Sequence, residues 1–293
     1  MNSAVSAVST GQVVTEDLRR WIVAQAEAGC TPADVLRAMQ ASGWAEDVAV
    51  DALEVTLRER LQQLGRPLPE ALFEEVRVPE PSLAEASATL VAAGHEVKLL
   101  MTMRQPRVVV FGGFLSDDEC DGLIALSQPR LLRSETVDTA TGGSEVNAAR
   151  TSDGMFFERG EAPLIQRIEE RIAALLNWPL DHGEGLQVLR YRPGTEYRPH
   201  HDYFDPNLPG TPTILQRGGQ RVATLLMYLN TPECGGATVF PDAGLEVMPI
   251  RGQAVFFSYE RPHPVTRTLH GGAPVLRGEK WVATKWLRES VFN

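Results

Sequence analysis

The sequence predicts an α+β fold: a double-stranded β-helix (jelly-roll) core braced by helices, with a small all-α N-terminal region. Three observations predict it. Apolar residues recur at helical spacing in the first 64 residues and again over residues 161–177. From residue 185 the apolar spacing changes to a period of two, in short runs separated by glycine and proline. Many short strands that follow a few helices are typical of this architecture.

The N-terminal elements are predicted to be short helices. Thr31 is a candidate N-cap with Pro32 in the first helical position, and Gly43 separates two apolar-spaced segments. This region resembles a ubiquitin-associated-type three-helix bundle, although a helical cap packed on the main domain would give the same pattern. Prolines and acidic residues over 64–81 indicate a linker. We therefore expect a helical region and linker over residues 1–75 and a second domain over 76–293, whose jelly-roll core spans about 185–289.

Within the second domain, the elements are predicted from local signals. A helix is expected over residues 83–93, an apolar segment over 97–103 and a strand over 108–111. Ser116 and Glu119 form a capping-box pattern that opens a helix ending near Ser127. The clearest helix covers residues 161–177. Strands with a period of two are expected in the following ranges: 186–192, 222–229, 237–240, 245–250, 254–259 and 280–287.

Composition and charge exclude several functional classes. The chain has 293 residues, of which 43% are hydrophobic and 23% charged, as is usual for globular proteins. Its net charge of −10 argues against a nucleic-acid-binding surface. Three widely spaced cysteines (Cys30, Cys120 and Cys234) predict free thiols in a reducing compartment. The first 16 residues lack a signal-peptide pattern, and the longest apolar run, 222–229, is too short to span a bilayer. We expect a cytoplasmic protein that binds neither nucleic acid nor membrane.

The most informative pattern consists of His200, Asp202 and His270. On a β-strand, residues i and i+2 point to the same face, so His200 and Asp202 are expected to converge while His201 turns away. Two imidazoles and one carboxylate leave the other metal positions open, as in the 2-His-1-carboxylate sites of non-heme Fe(II) oxygenases. His263 is a competing ligand, but its flanking prolines favour a loop. We therefore favour His270.

Lys280 follows on the last predicted strand, where it shares a face with Val282, Thr284 and Trp286. A lysine directed into a barrel is unfavourable unless an anion pairs with it. A dicarboxylate co-substrate would provide that anion, with its keto-acid end on the iron and its far carboxylate at Lys280. Trp286, further along the same face, would then line the substrate pocket.

The region from about residue 97 to the C-terminus resembles the prolyl 4-hydroxylase group of Fe(II)/2-oxoglutarate dioxygenases. Six segments occur in the order typical of that group. They are RTSDGMF (150–156), EGLQVLRY (184–191), YRPHHD (197–202), GQRVAT with YLN (219–224 and 228–230), GGATVFP (235–241) and residues 270–286. The sequence GGAPV at 271–275 lacks the cysteine that many relatives carry before the proline, and residues 1–75 have no counterpart in the catalytic pattern.

The resemblance implies a role for each matching residue. His200, Asp202 and His270 would ligate Fe(II), while Lys280, with the Tyr191 hydroxyl and Thr238, would bind the distal carboxylate of 2-oxoglutarate. A further six positions would line the peptide groove: Arg150, Ser152, Glu184, Tyr197, Arg221 and Trp286. The segment 205–219 falls where the group has a mobile lid.

The implied reaction uses O2, with ascorbate as reductant, to hydroxylate a prolyl residue of a peptide or protein, and releases succinate and CO2. Free proline or another amino-acid residue is an alternative substrate, and a homo-oligomer is compatible with the sequence. Alternatives of other classes are a zinc hydrolase, which leaves Lys280 and Tyr191 unexplained, and a non-catalytic metal-binding jelly-roll module. Nucleic-acid demethylases of this fold typically anchor 2-oxoglutarate with arginine, so Lys280 argues against them.

Overall fold

The structure of the protein is a computed structural model that describes residues 12–66, 76–83, 87–134, 136–137, 144–145, 150–206 and 208–293. The chain divides into two compact units, Met1–Glu75 with His263–Val265, and Val76–Pro262 with Thr266–Asn293. The predicted domain boundary follows residue 75, and the segment just before it, 67–75, lies outside the described residues. In the described ranges, no helix has the length and apolarity needed to cross a bilayer.

The first unit contains three helices: α1 (Glu16–Glu27), α2 (Pro32–Ala41) and α3 (Glu46–Gln63). Thr31 caps α2 as predicted, in a capping box with Asp34. Ile22, Met39 and Leu53 are fully or almost fully buried between the helices. The predicted all-α N-terminal region is therefore confirmed.

The second unit contains three α-helices and seventeen strands among its described residues. The helices are α4 (Asp117–Ser127), α5 (Pro163–Leu176) and α6 (Thr211–Leu215). The strands are β1 (Thr89–Ala92), β2 (His95–Met103), β3 (Arg107–Gly112), β4 (Leu132–Arg133), β5 (Thr136–Val137), β6 (Ser144–Glu145), β7 (Asp153–Phe157), β8 (Leu186–Tyr191), β9 (Tyr197–His200), β10 (Arg221–Tyr228), β11 (Cys234–Gly235), β12 (Thr238–Phe240), β13 (Leu245–Val247), β14 (Ala254–Ser258), β15 (His270–Gly272), β16 (Val275–Arg277) and β17 (Lys280–Arg288).

Two antiparallel sheets form the jelly roll. The larger has nine strands in the order β1-β2-β3-β14-β10-β17-β8-β7-β4, and the smaller has four in the order β13-β12-β15-β9. Strands β11 and β16 form a further pair. Helices α4 and α5 pack on the outer face of the large sheet, where Ile168 and Val188 share one core cluster. Residues of the opposite face, such as Tyr191, pack with Phe240 of the small sheet in a second cluster. The predicted α+β jelly-roll fold is therefore confirmed.

One predicted helix is wrong. Residues 89–92 of the segment predicted as a helix over 83–93 form β1, while residues 84–86 lie outside the described ranges. Strand β1 pairs with β2 through a two-residue turn in which Ala93 and Gly94 have φ values of 48° and 77°. Two positive φ angles are typical of the tight turns that join antiparallel strands. The pairing with β2 outweighs the helical propensity of the alanine-rich segment.

The remaining predictions agree more closely with the structure. Ser116 and Glu119 form the predicted capping box at the start of α4. Helix α5 begins at Pro163, two residues later than predicted, and buries the expected apolar face that includes Ile165 and Ile172. The three cysteines are free thiols, with Cys120 buried and Cys30 exposed.

Candidate active site

Three candidate metal ligands meet where β9 and β15 pair. His200 lies directly opposite His270 in that pairing, with ring centroids 4.4 Å apart. The two carboxylate oxygens of Asp202 lie 3.5 Å from His200 Nε2 and from His270 Nε2, respectively. Within the described residues this is the one group of three or more such side chains with metal-ligand spacing. His263, the competing candidate, is not part of it.

The reason for this convergence differs from the predicted one. Strand β9 ends at His200, so Asp202 lies in the bend beyond it and not on the same strand. The ring of His201 stacks on Tyr203 with centroids 4.6 Å apart, so it does point away from the metal ligands. Strand alternation therefore predicted correctly that His200 and Asp202 lie together, although Asp202 lies beyond the end of β9.

The hydrogen bonds of the two histidines select one tautomer for each ring. His200 Nδ1 lies 2.9 Å from the carbonyl oxygen of Arg198, and His270 Nδ1 lies 2.9 Å from that of Thr268. A carbonyl oxygen can only accept, so each Nδ1 carries the proton and each Nε2 keeps its lone pair. Burial lowers the pKa of His270 to about 4, which keeps this imidazole neutral near pH 7. Neutral rings oriented in this way are suited to bind a metal.

Asp202 is oriented by two hydroxyl groups that the sequence prediction missed. Thr224 Oγ1 donates to Asp202 Oδ2 at 2.6 Å. Because that hydroxyl has only one proton, Tyr259 must donate in its 3.0 Å contact with Thr224. Burial favours a neutral carboxyl at Asp202, but His270 and His200 outweigh that effect and its pKa lies well below the usual range. The set is therefore one carboxylate and two imidazoles, which are suitable donors for Fe(II).

These ligands face a cavity inside the jelly roll. Lys280, Val282, Thr284 and Trp286 all line it, as strand alternation predicted. Lys285 points to the opposite side of the sheet, where it pairs with Glu169 of α5.

Lys280 has no counter-ion among the described residues. Its side chain is 3% exposed, and burial lowers its pKa to about 7. Tyr191 lies opposite Lys280 in the β8–β17 pairing, and Tyr191 and Thr238 line the same cavity. A buried ammonium group with two hydroxyls nearby fits a carboxylate. The residues assigned to the distal end of 2-oxoglutarate are thus brought together.

The candidate substrate residues separate into two groups. Arg150, Tyr197 and Trp286 line the cavity, with the Arg150 guanidinium 5.0 Å from the centroid of the Tyr197 ring. Arg150 also donates to the side-chain oxygen of Gln187 at 2.7 Å. The indole nitrogen of Trp286 is buried without a hydrogen-bond partner among the described residues, so it has a donor to offer a ligand.

The other three residues do not line this cavity. The Ser152 hydroxyl is buried against that of Ser134, at 2.9 Å. Glu184 and Arg221 form a buried ion pair with N···O distances of 2.6 and 3.0 Å. The Arg221 guanidinium lies 4.0 Å from the centroid of the Trp286 ring. The structure therefore places this pair behind the cavity wall, in contact with a residue that lines it.

Sequence reasoning missed several residues of the site, and one had a visible signal. Thr224 interrupts the apolar run 222–229, and a lone hydroxyl in a buried strand usually has a hydrogen-bond partner. Gly271 permits the close approach of β15 to β9, since a Cβ there would lie 2.8 Å from the Tyr197 carbonyl oxygen. In the segment predicted as a lid, α6 occupies residues 211–215, and residue 207 lies outside the described ranges.

Comparisons with known proteins identify relatives of this chain. A sequence model of the 2OG-Fe(II) oxygenase superfamily matches residues 186–288. Probable prolyl 4-hydroxylase 3 of Arabidopsis thaliana is 44% identical over 210 residues, which are 64% of this chain and 71% of that protein. Prolyl 4-hydroxylase 1 of the same plant is 42% identical over 230 residues, covering 71% of this chain and 78% of that protein. A viral collagen prolyl hydroxylase from Paramecium bursaria Chlorella virus-1, solved as a 2OG complex, is 33% identical, with a TM-score of 0.47 over 62% of this chain and 95% of that one.

Proposed function

The chain belongs to the prolyl 4-hydroxylase-like family of 2-oxoglutarate- and Fe(II)-dependent oxygenases, and we propose that it hydroxylates a prolyl residue within a peptide or protein. The observation that carries this proposal is that one cavity contains both the His200, Asp202 and His270 cluster and the buried Lys280. The first is suited to Fe(II), and the second to the far carboxylate of 2-oxoglutarate.

When bound, Fe(II) with 2-oxoglutarate and O2 supplies the oxidising power that hydroxylates an unactivated C–H bond and yields succinate and CO2. The protein's residues bind and orient the reactants. His200, Asp202 and His270 would hold the metal, since their two imidazoles and one carboxylate are donors that suit Fe(II). The backbone carbonyls and hydroxyls behind them restrict their rotation.

Lys280, Tyr191 and Thr238 bind the distal carboxylate, and the apolar walls formed by Leu189 and Val282 exclude water around it. A charge pair is stronger in such an environment than in water. An anchor at the far end of the co-substrate limits the positions that its keto-acid end can adopt at the metal.

The peptide contacts Arg150, Tyr197 and Trp286, which lie at the same cavity. These side chains suit an extended peptide. Arg150 and the Trp286 indole nitrogen can donate hydrogen bonds to it, and the rings of Tyr197 and Trp286 can pack on its apolar groups. Glu184 and Arg221 support Trp286 from behind.

Ascorbate acts as the reductant, and the three free cysteines are compatible with a cytoplasmic location.

The test is succinate release by the purified protein with Fe(II), ascorbate and 2-oxoglutarate, with and without proline-containing peptides. We expect these peptides to stimulate succinate formation. Matched peptides in which alanine replaces proline serve as the control and should not stimulate it. If free proline stimulates succinate formation equally well, free proline would replace the peptide as the proposed substrate. If iron-loaded protein forms no succinate, the result would favour a non-catalytic metal-binding module.

A further inference from the structure

A column of alternating aromatic rings and guanidinium groups extends from the cavity wall into the body of the second unit. Its first member is Trp286, which lines the cavity. The other members follow in this order: Arg221, Phe204, Arg288, Phe292 and Arg217. From one member to the next, ring centroid and guanidinium carbon lie 4.0, 4.8, 5.1, 5.2 and 4.0 Å apart. Each distance is within reach of a cation–π interaction, so the six side chains form one continuous stack.

The rings of the column contact a buried arginine whose hydrogen bonds are incomplete. Arg288 is 2% exposed, and its Nε and Nη1 have no hydrogen-bond partner among the described residues. Its Nη1 lies 3.6 Å from Glu184, which pairs at 2.6 Å with Arg221. Two guanidinium groups thus share one carboxylate, and both contact the ring of Phe204. Such a ring attracts each cation electrostatically, which offsets part of the cost of burying them.

The backbone of Phe204 is held independently of its ring. Gln220 Oε1 accepts from the Phe204 nitrogen at 2.7 Å, and Gln220 Nε2 donates to the Phe204 carbonyl oxygen at 2.8 Å. Gln220 is itself held by Glu289, whose carboxylate accepts from the Gln220 nitrogen at 2.7 Å. A substitution that removes the Phe204 ring should therefore leave the path of the chain in place.

The far end of the column packs on α6 and on the residues that follow this helix. Arg288 Nη2 donates to the carbonyl oxygen of Ile214 at 3.2 Å and also to that of Arg217. A Cβ on Gly218 would lie 3.0 Å from Phe292 Cδ2, so the chain passes close to this ring. The column therefore joins the cavity wall to the part of the predicted lid segment that includes α6.

We propose that Phe204, Arg288 and Phe292 are positioning residues for the peptide site. Together with Arg221 they hold the Trp286 indole at the cavity wall. This inference rests on the proposed function only in taking Trp286 as a contact of the peptide. Loss of the Phe204 ring breaks the column at its centre, so the indole should reorient and peptide binding should weaken. Binding of 2-oxoglutarate, which is assigned to other residues of the cavity, should not change.

Fluorine NMR of protein labelled with fluorotryptophan measures the environment of Trp286 directly. The chain has five tryptophans, and Trp286→Phe assigns the Trp286 resonance by removing it. We expect Phe204→Leu, which keeps an apolar side chain, to shift or broaden this resonance. Trp21 and Trp44 lie in the first unit and are internal controls, whose resonances should stay in place.

A matched pair of variants at Phe292 makes the test specific to the ring. Phe292→Leu removes the last ring of the column and should act in the same direction as Phe204→Leu. Phe292→Tyr keeps a ring at this half-buried position and should behave as the wild type. As a control, Phe114→Leu removes a buried ring that contacts Arg171 outside the column, and it should leave the Trp286 resonance unchanged.

Steady-state kinetics with a peptide that stimulates succinate formation measure the functional consequence. Phe204→Leu should raise the KM for this peptide by about threefold to tenfold, while kcat changes by less than about twofold, because the column affects how the peptide is bound. The dissociation constant of 2-oxoglutarate, from calorimetry on Mn(II)-loaded protein, should stay within about twofold of the wild-type value.

The outcomes distinguish this inference from the proposed function. An unchanged Trp286 resonance in Phe204→Leu would overturn the positioning role, as would a shifted resonance with an unchanged KM. Equal loss of peptide and 2-oxoglutarate binding would assign the column to folding and would also overturn it. Wild-type protein that forms no succinate with any peptide would contradict the proposed function, whereas the resonance would still show whether the column holds Trp286.

Discussion

Replacement of Lys280 by methionine removes the cation at the end of the cavity and keeps a side chain of similar length. The wild-type ammonium is buried, with no described carboxylate as partner, so its counter-ion is expected to be the co-substrate. We expect Lys280→Met to weaken 2-oxoglutarate binding strongly while the metal site retains its affinity. His200, Asp202 and His270 are unchanged in this variant.

The structure sets the expected magnitude. Removal of one partner from a buried, hydrogen-bonded charge pair costs about 2–5 kcal/mol, much of it because the other charge is left unpaired. Tyr191 and Thr238 remain to donate hydrogen bonds to the carboxylate, so we expect the lower part of that range. The dissociation constant for 2-oxoglutarate should therefore rise by roughly 30-fold to 300-fold.

The same substitution should stabilise the protein in the absence of co-substrate. Burial lowers the pKa of Lys280 from 10.5 to about 7, so keeping this group buried at pH 7 costs on the order of 4 kcal/mol. Because the folded pKa lies below the unfolded one, this cost is largest below pH 7 and disappears as the pH rises towards 10.5. The gain in the free energy of unfolding of Lys280→Met should follow the same pH dependence.

Calorimetric titration of Mn(II)-loaded protein measures the loss of affinity, and chemical denaturation of the unliganded protein measures the gain in stability. Lys98→Met is the matched control, because Lys98 lies exposed on β2 and should change neither quantity. Equal loss of 2-oxoglutarate and metal binding in Lys280→Met would refute the assignment of this lysine as the anion anchor. Unchanged 2-oxoglutarate binding would refute it as well.

Three further predictions concern the same site. His270→Ala should abolish succinate formation and weaken Fe(II) binding while circular dichroism shows a retained fold; turnover at the wild-type rate would remove His270 from the ligand set. Thr224→Val removes the hydroxyl that donates to Asp202 and should weaken metal binding by about tenfold in a Co(II) titration, and unchanged affinity would mean that Asp202 is held by its other contacts. The affinity for 2-oxoglutarate should fall by about tenfold per pH unit above about pH 7 as unliganded Lys280 loses its proton, and a pH-independent affinity would show that this ammonium stays charged.

The features that the sequence predicted well depend on local geometry. The direction of a side chain on a strand follows from the alternation of the chain, so the shared face of Lys280 and Trp286 could be predicted without knowing the neighbouring strands. Capping boxes and the apolar face of α5 are local in the same sense. The grouping of His200 with Asp202 was also predicted, although β9 ends before Asp202 is reached.

The features that could not be predicted from the sequence depend on contacts between distant segments of the chain. Tyr228 and Thr238 are ten residues apart along the chain and meet across the barrel, and Thr224 reaches Asp202 over 22 residues. Neither contact follows from periodicity, because both depend on how the two sheets are paired. The strand β1, predicted as a helix, exists because β2 pairs with it. Tertiary pairing of this kind overrides local propensity.

The most direct test of the account is tandem mass spectrometry of a proline-containing peptide after incubation with the protein, Fe(II), ascorbate and 2-oxoglutarate. The account predicts a mass gain of one oxygen atom on a proline, with one succinate formed for each hydroxylated residue, and no gain with His270→Ala. Oxygen on a residue other than proline would contradict the proposed substrate. Iron-loaded wild-type protein that binds 2-oxoglutarate but yields neither succinate nor modified peptide would contradict the assignment of this cavity as an oxygenase active site.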